Sequence, residues 1–250
     1  MQPLRDEVSS DGPAHTRRRW LALALFGLAL GWFEGAVVVY LREIVYPQGF
    51  AFPLAPLPAR LLVVEIVREA SSLIVLATTA WLAGATSLQR FSAFLVIFGL
   101  WDLAYYATLW LALGWPDSPA TLDVLFLIPS PWVGPVWAPS LVAALFVAAG
   151  SYVFLTPDRV RAYSRRDWAI ECLAGLLIVL SFVTSEEALT TSSPTAFRPW
   201  LYGVGLALGV GWFAYAEWLR GGAPVAPTRT PSPRGGPKGS ALRTETEESR

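Results

Sequence analysis

The chain has 250 residues, 54% of them hydrophobic and only 15% charged, and its 19 basic and 19 acidic side chains leave no formal net charge. A mean hydropathy of +0.46 excludes a soluble globule and a disordered chain, and points to a multi-pass membrane protein. A single cysteine, Cys172, and a single histidine, His15, exclude an intramolecular disulfide and any thiolate or imidazole metal centre in the apolar region.

Taken in chain order, residues 1–19 read as a polar N-terminal tail ending in Arg17, Arg18 and Arg19, and residues 20–220 as a transmembrane domain. About 20 mainly apolar residues are needed to cross the hydrocarbon core. The first predicted span, 20–41, carries Gly27, Gly31 and Gly35 at every fourth position, a spacing that lets helix backbones approach closely. It also holds Glu34, with Arg42 and Glu43 at its far end.

The second span, 61–84, contains "VVEIVREASSLIV". Unpaired near the bilayer centre, a charged side chain costs about 2.5–3.5 kcal/mol on insertion scales, so Glu65, Arg68 and Glu69 demand partners. Spacings of three and four residues set them on one helical face, where Arg68 can pair with either carboxylate. The third span, 91–113, contributes "WDLAYY", with Asp102, Tyr105 and Tyr106 on one face.

The following loop holds Asp117, Asp123 and the prolines Pro129, Pro131, Pro135 and Pro139. Its "VLFLIP" is too short to span and too apolar for water. It is read as an interfacial or re-entrant segment folded back over the bundle, with Trp132 and Trp137 in an interfacial belt or a lid. The fourth span covers 133–155, the fifth and shortest 168–184, with Glu186 and Glu187 at its end, and the sixth 200–219, with Gly205 and Gly209. Residues 221–250 are rich in Pro, Gly, Ser and Thr and are expected to be a disordered tail.

Arginine placement orients the bundle, since short cytoplasmic loops are enriched in positive charge. Arg17–Arg19 precede the first span, Arg159, Arg161, Arg165 and Arg166 separate the fourth from the fifth, and Arg220 begins the C-terminal segment. The expected architecture is therefore an all-α bundle of six transmembrane helices with both termini cytoplasmic. Arg42, Arg60 and Arg198 are the exceptions left outside.

This topology places Glu34, Glu65, Arg68, Glu69 and Asp102 together in the outer half, with Tyr105, Tyr106, Asp123 and Trp132 around them as binding residues. The inner halves of the spans carry almost nothing charged until Glu217 and Arg220. Intramembrane ionisable groups are functional by default, and one arginine does not neutralise this much acid. The competing reading is a structural ion-pair network that fixes helix register.

The strings "EGAVVVYLRE", "EIVREA", "WDLAYY" and "DVLFLIPSPWVGPV" resemble an uncharacterised group of bacterial multi-pass membrane proteins over about residues 30–140. The resemblance implies an inner-membrane placement and supplies neither a reaction nor catalytic residues.

Three functions compete. The first is binding or transport of a small solute, cation or proton through an acidic cavity. The second is a membrane-embedded enzyme acting on a lipid or envelope precursor, weakened by the missing histidine and nucleophile motif. The third is an accessory or scaffold subunit facing a membrane-protein partner. No cofactor is expected, and any metal would be a hard cation such as magnesium held by oxygen. The expected partners are the lipid bilayer and a small-molecule or ion ligand, and no nucleic acid.

Overall fold

The computed structural model describes residues 12–156, 163–183, 189 and 197–219. It is mostly helical. Six helices run α1 Pro13–Val45, α2 Ala59–Ala83, α3 Ser87–Leu113, α4 Trp137–Leu155, α5 Arg165–Phe182 and α6 Pro199–Ala214, the last continued by a π-helical turn over Tyr215–Leu219. Between α3 and α4 lies an antiparallel hairpin of β1 Leu122–Phe126 and β2 Trp132–Pro135.

Three of the helices, α1, α3 and α4, are long and apolar enough to cross a membrane. Large apolar side chains cover the outside of α1 and α2: Leu25, Trp32, Phe33, Val64, Ile74 and Leu82 are all exposed. Charged side chains lie inside. Such an inverted distribution is what lipid, rather than water, requires of a surface.

The sequence locates each helix within a few residues, and the differences have physical causes. The first helix starts at Pro13, a residue suited to a first helical turn, so Arg17–Arg19 are helical rather than part of an N-terminal tail. The fourth starts at Trp137 and not at 133, because residues 133–135 pair in the hairpin. The all-α expectation is corrected by that hairpin. Its strands are only five and four residues long, too short to show a sustained alternation of polar and apolar residues. Val133 pairs with Val124, and Gly134 with Asp123. Residues 1–11, Glu186, Glu187 and the 221–250 tail lie outside the described residues.

α3 is the centre of the bundle, with α1, α2 and α4 against it. Glycines permit the closest approaches. A Cβ added at Gly27 would lie 2.9 Å from the Ile97 carbonyl oxygen, and one at Gly35 would lie 2.6 Å from the Thr108 Cβ. Matching residues ascend together along α1 and α3, so these helices run parallel. Gly99 and Gly150 seat α4 antiparallel on α3 in the same way, facing Ala143 and Ser92 respectively. The glycine spacing therefore serves packing within the chain.

Apolar residues fill the interfaces: Leu76 of α2, Ile97 and Leu109 of α3 and Val133 of β2 are fully buried. Gly114 ends α3 in the left-handed conformation, φ 65°, which is strained for residues with a Cβ.

α5 and α6 form a second antiparallel pair, with Gly205 against Ala174 and Ile178. It docks on the hairpin end through aromatic contacts. Phe182 stacks on Phe197, and the Tyr202 hydroxyl donates to the Ala138 carbonyl at 2.8 Å. A strand-like bridge between Trp132 and Val183 is a further link. At the opposite end, Arg19 donates to the Ala83 carbonyl and Arg90 Nε to the Gly84 carbonyl at 3.0 Å, satisfying the C-terminal end of α2.

Candidate functional site

The polar residues at the hairpin end belong to the inward faces of three helices. On α2, the buried positions Glu65, Glu69, Ser72, Leu76 and Ala80 fall three or four residues apart and form one stripe toward the bundle. On α1, the stripe Gly27, Gly31, Glu34, Val38 and Arg42 does the same. Side chains from both stripes meet next to α3 beneath the hairpin.

Arg68 is shared. It forms an ion pair with Glu34 of α1, and its Nε donates to Glu65 Oε2 at 2.8 Å, with Nη2 2.7 Å from the same oxygen. Ser72 Oγ donates to the other oxygen of Glu34 at 2.9 Å. Glu69 does not join this pair. Its Oε2 accepts from the Leu127 backbone N–H at 2.9 Å, tying α2 to the hairpin. The expected face of Glu65, Arg68 and Glu69 is thus turned into the bundle, and Arg68 takes the carboxylate of a neighbouring helix where Glu69 was the alternative.

A second pair holds the hairpin from the α1 side. Arg42 Nη2 lies 3.1 Å from Asp123 Oδ1, and the Tyr106 hydroxyl donates to Asp123 Oδ2 at 3.3 Å. Both members of the ion pair are deeply buried, Arg42 at 6% and Asp123 at 2% exposure. The guanidinium lies over both rings of the perpendicular pair Phe50 and Trp115, 4.1 and 3.7 Å from their centroids, where ring quadrupoles add to the attraction. Burial pushes the Asp123 carboxyl up, opposed by Arg42, the Val124 N–H and the Tyr106 hydroxyl.

Asp102 and Tyr105 lie on the same turn of α3 as Tyr106, whose ring meets that of Tyr105 edge to face at 5.1 Å. Asp102 Oδ2 is buried with no hydrogen-bond partner among the described residues. Trp132 is half-buried on β2 with its ring 5.3 Å from Phe126, which in turn lies against Trp101 of α3. Its contacts are those of a side chain packed inside the hairpin.

The sequence missed two members of this site. Arg42 was assigned to the end of a span, yet it falls seven residues after Gly35 and continues the same inward stripe. Ser72 is likewise signalled by its place three residues after Glu69 and four after Arg68. The third missing contact, the Leu127 N–H, carries no side-chain signal at all.

The opposite end adds polar contacts that the sequence reading left unremarked. Asp167 is fully buried, caps α5 reciprocally with Ser164, and accepts from Trp212 Nε1 at 3.1 Å. Tyr163 donates to Glu217 Oε1 at 2.5 Å.

Five carboxyl groups, those of Glu34, Glu65, Glu69, Asp102 and Asp123, surround two guanidiniums at the hairpin end. The cluster carries more acid than its own arginines neutralise. Among the described residues, no group of three His, Cys, Asp or Glu side chains is placed to hold a metal ion. Comparison with known proteins returns no matching family model, curated protein or solved structure.

Proposed function

We propose that the chain is an integral membrane protein of the bacterial inner membrane, with six spans and cytoplasmic termini. Its acidic cluster takes up a proton or a small cationic solute from the outer side for transport. The observation that carries the reading is the excess of carboxyl groups over guanidiniums beneath the hairpin, with Asp102 Oδ2 buried and reached by no donor among the described residues. A surplus of buried acid is stable only when protons or a cation compensate it. Orientation is supported by the arginines, since Arg17–Arg19, Arg90, Arg165 and Arg166 all belong to the end opposite the hairpin.

Two measurements test this. A reporter active only outside the cytoplasm should work when inserted near Ser118 and stay silent when fused after Gly221. Purified protein should gain thermal stability as monovalent or organic cations are added, or as pH falls, because a ligand that binds only the folded state stabilises it by about 2.7 kcal/mol at a hundred times its Kd. Stability indifferent to every cation and to pH would remove the binding reading.

A further inference from the structure

The carboxyl groups under the hairpin divide into two kinds. Four are engaged by donors: Glu34 by Arg68 and Ser72, Glu65 by Arg68, Glu69 by the Leu127 N–H, and Asp123 by Arg42 and Tyr106. Apart from the Arg68–Glu65 contact within α2, these join elements of the framework, linking α1 to α2, α2 to the hairpin, or the hairpin to α1 and α3. Asp102 alone has a buried oxygen that no donor reaches.

Among the described residues, no guanidinium forms an ion pair with it. Arg68 is held by Glu34 and Glu65, and Arg42 by Asp123 and two aromatic faces. A carboxyl oxygen withheld from water with no donor to it is stabilised when the group holds a proton.

We propose that Asp102 is the proton-binding residue of the site, carrying one proton on its carboxyl group in the resting protein, while the four engaged carboxylates brace the helices and the hairpin. The assignment rests on the reading of the cluster as a proton or cation site and names both the ligand and its acceptor. Uptake forms an O–H bond at Asp102 with a proton from the outer aqueous phase. Release returns the proton to water and leaves a carboxylate that a cation can then accompany.

Infrared spectroscopy of the purified protein reads this directly. At neutral pH the wild type should show the carbonyl stretch of a protonated carboxyl group, which is absent from Asp102→Asn, moved in Asp102→Glu and unchanged in Glu69→Gln. Identical carbonyl regions in wild type and a monodisperse Asp102→Asn protein would overturn the assignment. If Asp102→Asn does not fold, Asp102→Glu decides, because an unmoved band in that folded protein overturns it equally. A cation-dependent thermal shift in a wild type that lacks the band would overturn the Asp102 assignment and leave the binding reading standing.

Discussion

The two ends of the molecule solve the same problem in different ways. At the hairpin end, buried charge is neutralised across elements: Arg68 joins α2 to α1, Arg42 joins α1 to β1, and Glu69 joins α2 to the Leu127 N–H. At the opposite end, polar groups are satisfied largely within one helix pair, by the Ser164–Asp167 cap of α5 and by Trp212 and Tyr163 reaching across to and from α6. Long-range pairing makes each residue a joint among several elements. Local capping makes each residue a repair to one helix end.

That contrast predicts a graded series. The largest effect is expected for Arg68→Leu, which strands Glu34 and Glu65 in the interior. Breaking a buried pair from one side costs about 3–5 kcal/mol, so the melting temperature in detergent should fall sharply. Arg166→Leu, at the opposite end and exposed above Trp212, should cost no more than about 1 kcal/mol. Equal losses in the two variants would erase the distinction between the ends.

Arg42→Met comes next. Its apolar stem still covers the rings of Phe50 and Trp115, but Asp123 keeps only the Tyr106 hydroxyl and the Val124 N–H. A buried acceptor losing its charged partner costs about 2–3 kcal/mol. Because the pair latches the hairpin, limited proteolysis between Thr121 and Trp132 should accelerate while cleavage elsewhere does not.

Packing sharpens the comparison further. Gly35→Ala drives a Cβ into Thr108 and should destabilise by about 1–3 kcal/mol through overpacking. Gly211→Ala, with nothing within 4 Å of the added atom, should be neutral or gain about 0.5–1 kcal/mol from helix propensity. Chemical denaturation of the two proteins checks the opposite signs.

The smallest effect is expected for Ser164→Ala, which removes the α5 cap and costs about 1 kcal/mol. In a double variant it should add to Arg68→Leu, since the two sites share no partner. Strong non-additivity would mean that the ends communicate.

The helices were legible because an apolar run of spanning length is a strong one-dimensional signal, and the inward face of Glu65, Arg68 and Glu69 because three-and-four spacing fixes a helical face. Depth alone was enough to group Glu34 with Arg68, which the structure pairs. What the sequence hid was partner choice. Arg68 is three residues from Glu65 and one from Glu69, yet it reaches Glu34, and nothing local announces that. The hairpin was hidden because its strands are short, and Leu127 contributes a backbone N–H that is the same for almost every residue type. Asp167, one residue before the predicted fifth span, was passed over, although the serine three residues before it is the cap signal.

Proton uptake into proteoliposomes tests the central claim most directly. Protein reconstituted with a pH-sensitive dye inside should acidify the lumen after an imposed outside-acid step faster than empty vesicles do, and Asp102→Asn should return the rate to that of empty vesicles while Glu69→Gln retains part of it. Wild type, Asp102→Asn and empty vesicles acidifying at one common rate, in the presence and absence of added cations, would contradict the account and leave the cluster a structural brace.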